Sequence, residues 1–338
     1  MQKHIVSAVL AAVLGVTATA AYADTLSDVK AKGYVQCGVT AGVPGFSAPD
    51  ASNNWSGLEV DFCRAIAAAI FNDASKVRYT PLTSQERFAA LSSGEIDVLS
   101  RTTTWTMSRD TDLGIKFVGT MFYDGQGFLV RKADNIASAL DLGGAAICIE
   151  SGTTTELNAA DYFSANKLEF NPVVFVDKDE VLKAYEDGRC DVLTSDSSQL
   201  ASDRTKFATP SDHVLLPEII SKEPLGPSVR QGDDRWFNIA RWTYYAMLEA
   251  EELGVTSTNI DEMLGSDNPS IKRLVGVEGD FGAPIGLTKE WAYQIIKLVG
   301  NYAESYDRNL GPDTPIGLPR GINALWKDGG IQYSPPIR

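Results

Sequence analysis

Residues 93–109 read SGEIDVLSRTTTWTMSR, a glycine-opened apolar strand running into a cluster of hydroxyls and one arginine. Ile96, Val98 and Leu99 make the short apolar run of a parallel strand covered on both faces. Thr102, Thr103 and Thr104 follow at its end, where open α/β sheets bind their ligands. Arg109 then brings a planar guanidinium fork suited to gripping a carboxylate with two hydrogen bonds. Taken alone, the stretch also reads as a solvated surface loop, since hydroxyl side chains commonly cap turns.

A second stretch breaks that tie. Residues 184–196, AYEDGRCDVLTSD, repeat the spacing of residues 90–102, ALSSGEIDVLSRT, aligning Gly94 with Gly188, Asp97 with Asp191, Val98 with Val192 and Leu99 with Leu193. So long an offset exceeds any solenoid unit and implies two similarly built α/β lobes. Thr102 in the first copy then corresponds to Asp196 in the second. If both strand ends face one cleft, one wall carries hydroxyls and a cation and the other a carboxylate, the complements of a zwitterion.

Outward from this pair, residues 1–23 have a basic start (Lys3, His4), an apolar run from Ile5 to about Val16 and Ala21-Tyr22-Ala23 before the expected cleavage. This is the pattern of a secretory signal peptide, too short in its apolar part to span a bilayer. No later segment is apolar enough to span, so no direct membrane insertion is expected. A formal net charge of −14 is poorly suited to holding nucleic acid by charge. Four cysteines in an exported chain favour disulfides. Of three possible pairings, Cys37 with Cys63 and Cys148 with Cys190 keep each bridge inside one lobe.

The order of elements is that of a parallel α/β domain. Strands are expected at 34–39, 77–81 and 96–100. A helix at 57–71 lies between the first two, and a second at 84–91, capped by Ser84, before the third. An extended passage at 119–132 crosses to the second lobe, which has strands at 145–149, 173–176 and 190–195. There Ser151 to Glu156 form a loop feeding a helix, whose free N–H groups attract anions and to which Thr153 or Thr154 adds a hydroxyl; plain helix capping is the alternative. A second extended passage near 219–230 returns the chain. Lobe 1 is thus 24–123 with 226–338, and lobe 2 is 124–225. Beyond Asp233 a long aromatic-striped helix, a single helix at 290–306 and a Pro- and Gly-rich end that wraps the surface are expected. Beyond the leader the sole histidine is His213, expected on the surface. There is no G-x-S-x-G, H-E-x-x-H, C-x-x-C or phosphate loop, so no metal or cofactor is expected and carboxylate chemistry or plain binding remains.

The motifs GLEVDFCRAI, ERFAALSSGEIDVL, T-x-T-x-x-x-x-R at Thr102, Thr104 and Arg109, SGTTTE and DVLTSD resemble the periplasmic solute-binding proteins of polar amino-acid ABC transporters, especially their general L-amino-acid-binding branch. The resemblance covers about residues 25–250; the longer C-terminal region carries no functional expectation. It implies the type II periplasmic-binding fold: two lobes, each a mainly parallel sheet flanked by helices, joined by two hinge strands and closing on ligand. It implies that a periplasmic, monomeric, non-enzymatic protein binds an L-amino acid and delivers it to a membrane permease. The α-carboxylate falls to Arg109, Thr104 and Thr154, the α-amino group to Thr102 and Asp196, with Thr153 beside them. Ser84 and Thr155 border the remaining space, leaving room for many side chains. Where relatives often place an aromatic over the ligand, this chain has Val43 with Phe46 nearby, and Trp55 or Trp105 as substitutes. Two other classes share the site: an exported dehydratase of cyclic amino acids, for which Glu150 is the spare carboxylate, and a chemoreceptor ligand carrier.

Overall fold

The repeated motif is a register device. Gly94 and Gly188 follow the helices Arg87–Ser93 and Lys178–Glu186 with φ of +84° and +75°, a backbone region where a side chain is strained. Three residues on, the Asp97 carboxylate accepts the N–H of Gln36 (2.7 Å) and the Asp191 carboxylate that of Ala146 (2.8 Å). Each aspartate thereby pins its own strand to the neighbouring one. The strands Val98–Leu99 and Val192–Asp196 then run buried through the middle of two separate sheets.

The computed structural model describes residues 24–338; the expected signal peptide lies outside the described residues. The two five-stranded sheets share one plan. The first runs Val77–Pro81, Val35–Val39, Val98–Leu99, Ser228–Arg230, Ile115–Phe117, and the second Asn171–Phe175, Ala146–Glu150, Val192–Asp196, Gln126–Arg131, His213–Leu215. In each the first three strands are parallel, and the fourth is antiparallel and arrives from the other lobe. Between the sheets Phe122–Asp124 pairs antiparallel with Glu223–Leu225, forming the two-stranded crossing. Gly125 and Gly226 sit on the two crossing chains. A Cβ on Gly125 would lie 2.2 Å from Ile219 Cγ2, and one on Gly226 only 2.0 Å from the Gly119 carbonyl.

Cys37 is bonded to Cys63, tying the strand Val35–Val39 of the first lobe to the helix Leu58–Phe71; Cys148 is bonded to Cys190 in the second. That helix carries Glu59 and Asp61 in its first turn, favourable at the positive end of a helix. Among the described residues no helix is long and apolar enough to cross a membrane.

Several local expectations are corrected. The helix at 84–91 begins instead at Arg87, and Ser84 caps nothing there, because Glu86 takes the N–H and hydroxyl of Thr83. The single helix at 290–306 is two, Trp291–Leu298 and Tyr302–Asn309. Gly300, at φ +98°, breaks it and Asn301 with Glu304 forms a capping box that starts the second. His213 is buried rather than exposed, its Nδ1 2.9 Å from the Tyr185 hydroxyl and its ring against Phe207. The C-terminal end does more than wrap the surface: Ile316, Leu325 and Ile337 enter the first lobe's core.

Candidate ligand cleft

The first lobe's wall is built on Thr102, whose backbone has φ +25°, a region costly for a threonine. The buried Glu59 carboxylate holds it there by accepting the Thr102 N–H, while also taking the Ser47 hydroxyl at 3.2 Å. Burial pushes the Glu59 carboxyl up to about 7, against the pull of that N–H bond and of Arg101. Beyond the turn, Arg109 donates to the Thr104 carbonyl at 2.9 Å and lies against the Phe88 ring. Two further arginines share the wall. Arg87 reaches Thr103 Oγ1 at 3.4 Å, and Arg101 donates through Nε to the Leu82 carbonyl at 2.9 Å.

The opposite wall is acidic. Asp196 ends its strand buried, with Gln199 donating to it at 2.6 Å. Burial, then the nearby charges of Asp124 and Glu223, hold its carboxyl well above the usual range. Asp124 on the crossing strand is pushed up to about 6, again chiefly by burial, although Ser198 and the Gly125 N–H donate to it. Glu223, on the return crossing, accepts the hydroxyls of Thr104 (2.5 Å) from one lobe and Thr154 (2.9 Å) from the other, with Asn158 and Ser221 completing its shell. Each threonine hydroxyl has one proton, and Glu223 takes both. With those protons taken, the donors left at Thr104 and Thr154 are their backbone N–H groups, beside the open first turn of the helix Thr155–Ala165.

Of the residues expected from sequence, Ser84, Thr102, Thr104, Arg109, Glu150, Thr153, Thr154, Thr155 and Asp196 line one chamber between the lobes. Phe46 does not: it sits in the first lobe's core, edge-on to Phe122 at 5.3 Å, because that apolar cluster outcompetes the cleft for an aromatic ring. Trp55 packs on Tyr79 and Trp105 on Phe117. Sequence reasoning missed Arg87, Arg101, Glu59, Asp124 and Glu223. The first three lie inside the quoted motifs and are the signal that went unused; Asp124 and Glu223 sit in extended passages with no local pattern.

The lobes meet across the chamber. Gln85 donates to Ser151 Oγ at 2.9 Å, Arg87 to the Gly152 carbonyl at 3.1 Å and Ser202 to the Pro44 carbonyl at 2.7 Å, while Arg101 faces Glu150 at 3.6 Å. This is a closed cleft with cations on one wall and carboxylates on the other and on the floor.

Two lobes of matching sheet order, a two-stranded crossing and a charged cleft define a two-lobed solute-binding clamp. The chain belongs to the bacterial extracellular solute-binding proteins, family 3, whose model matches residues 35–255. It is 60% identical to the general L-amino acid-binding periplasmic protein AapJ of Rhizobium johnstonii over 100% of both chains. It is 50% identical to the glutamate/glutamine/aspartate/asparagine-binding protein BztA of Rhodobacter capsulatus over 97% of each. Among solved structures, a periplasmic binding protein from Brucella ovis with glutathione bound superposes with a TM-score of 0.92 at 57% identity, covering 94% of this chain and 100% of that one. The C-terminal region beyond residue 255 is therefore shared with these relatives although the family model stops short of it.

Proposed function

We propose that this chain is the periplasmic ligand-binding component of an amino-acid ABC transporter, gripping L-amino acids by their α-carboxylate and α-ammonium groups and presenting them to a membrane permease. The observation that carries the reading is the cleft's charge division: Arg109 with the N–H groups at Thr104 and Thr154 faces Asp196, whose free energy rises when its charge is buried unpaired. A zwitterion lying between them satisfies both walls at once and only when the lobes are closed, so it shifts the equilibrium towards closure.

In this reading lobe 1 comprises residues 24–123 and 226–338, lobe 2 comprises 124–225, and the two crossing chains are the hinge. Thr102 and Asp196 take the ammonium, and Thr153 lies beside the carboxylate. The clamp reads only backbone groups, which supports acceptance of many side chains. The protein acts as a monomer, exported by its leader, and performs no chemistry on what it binds. Calorimetry of the ligand-free protein tests this. Several L-amino acids should bind, while their deaminated acids and α-amides should not. Binding of none of them, or recovery of a transformed amino acid, would refute the reading.

A further inference from the structure

A second chamber adjoins the clamp, sharing Arg101, Glu150 and Gln199 as a common boundary. Past that boundary it runs between Thr40–Val43 and Leu82 of one lobe and Val176 to Asp179 of the other. Its flanks at Val43, Leu82 and Val176 are apolar, and its cations are Arg101 and Lys178. Arg101 is only 6% exposed, yet of its five N–H donors one makes a hydrogen bond, to Leu82. Its approach to Glu150, at 3.6 Å, is well beyond charge-assisted hydrogen-bond length. Lys178 pairs with the buried Asp203 at 2.7 Å and has further donors to give. Of the acids here, Glu150 faces Arg101, one oxygen of Asp177 accepts the N–H groups of Asp179 and Glu180, and Asp179 is exposed.

We propose that this second chamber is a tail subsite for amino acids whose side chain continues through an amide to a terminal carboxylate, the γ-glutamyl peptide class. The proposal rests on the clamp reading above, which places the amino-acid head at Arg109 and Asp196. A side chain leaving the head passes the Arg101 and Gln199 boundary, where the guanidinium meets the γ-carbonyl. The apolar flanks cover the chain beyond it, and Lys178 meets the distal carboxylate. Short amino acids leave the subsite unused and bind by the clamp alone, so one protein takes both.

Calorimetry on the full mature chain with L-alanine, L-glutamine, γ-L-glutamylglycine and γ-L-glutamylglycinamide tests this without altering the protein. γ-Glutamylglycine should bind at least as tightly as glutamine, and its amide about tenfold more weakly, the loss of one charged hydrogen bond. Val176→Trp, at a half-exposed position on the chamber's flank, should weaken γ-glutamylglycine about tenfold or more and alanine by less than about threefold. A protein that binds alanine and glutamine but neither γ-glutamyl ligand overturns the tail subsite and leaves the clamp standing; one that binds none of the four overturns both. Equal weakening of alanine and γ-glutamylglycine by Val176→Trp would also sink the proposal.

Discussion

The strands ending at Thr102 and Asp196 hold the same place in two sheets of the same order, yet they carry opposite burdens. The first ends in a strained threonine held by a buried glutamate, with arginines around it; the second ends in a buried carboxylate with other carboxylates near it. The repeat of glycine, aspartate and apolar strand builds the frame twice. The residues just past it divide the charges, so each lobe alone holds an unbalanced half of a site. A ligand that completes both halves makes contacts the open state cannot make. The lobes differ a second time in the C-terminal region, which packs on the first lobe and reaches the crossing strand; among the described residues nothing equivalent serves the second.

The largest expected effect breaks the charge division itself. Arg109→Gln and Asp196→Asn should each cost the ligand-bound state about 3 to 5 kcal/mol, because each strands a buried charge on the ligand. Affinity for L-amino acids should fall by orders of magnitude with little change in the fold. The two variants should differ in kind: Arg109→Gln loses the preference for amino acids over their amides, and Asp196→Asn loses the preference over deaminated acids. Wild-type affinity in Asp196→Asn would show that the two strand ends do not divide the ligand between them.

A smaller effect sharpens the same contrast through pH. Asp124 and Asp196 have pKa values raised in the ligand-free protein, Asp124 to about 6 and Asp196 in the same direction, both mainly by burial. An ammonium placed at Asp196 favours its charged form and lowers its pKa, so binding below the ligand-free value releases protons. Affinity should be full above that value and decline as pH falls through it, by at most about tenfold per pH unit for each proton released. Stability of the ligand-free protein should move the other way. A carboxyl whose folded pKa is raised binds its proton more tightly when folded, so both groups add stability as pH falls, Asp124 through about 6. Titration calorimetry in buffers of different ionisation heat, set beside thermal unfolding across the same range, separates the two signs. Affinity that is flat across that range in wild type would remove the acidic wall from the site.

How much of this was legible follows from distance along the chain. The repeat could be read because its parts act locally: a glycine ends a helix, and an aspartate three residues later pins the next strand. Thr102, Thr104 and Asp196 could be read because they stand at or just past strand ends, and Arg109 because it follows them closely on the short helix Met107–Asp112. Glu223 could not, because its partners Thr104 and Thr154 come one from each lobe and from far stretches of sequence. His213 misled because its burial depends on Tyr185 and Phe207, which no local pattern announces. The break at Gly300 was legible in principle, since Asn301 and Glu304 have capping-box spacing, but the apolar periodicity on both sides masked it.

The smallest predicted effect concerns the second asymmetry, the C-terminal region on the crossing. Tyr123 stands opposite Pro224 in the crossing ribbon; proline has no N–H to give, so the edge of Tyr123 that bonds lies on its other side. There Asn323 closes it, accepting the Tyr123 N–H at 2.7 Å and donating to its carbonyl at 3.0 Å. Tyr302 caps the Met121 carbonyl at 2.7 Å, and Tyr244 the Thr120 carbonyl at 2.7 Å. One crossing chain is thus fastened to the first lobe while the lobes move about it. Asn323→Leu removes both bonds at nearly constant size and should cost about 2 kcal/mol of stability, roughly 1 kcal/mol for each. By loosening the hinge it should widen the open ensemble and weaken every ligand by about the same small factor, on the order of threefold. That uniformity is the point of comparison with Arg109 and Asp196, whose variants change which ligand is preferred. Calorimetry with an amino acid and its deaminated acid, together with solution scattering of the ligand-free protein, reads both consequences. A shift in preference between the two ligands in Asn323→Leu would mean that the C-terminal region shapes the cleft wall as well as the hinge.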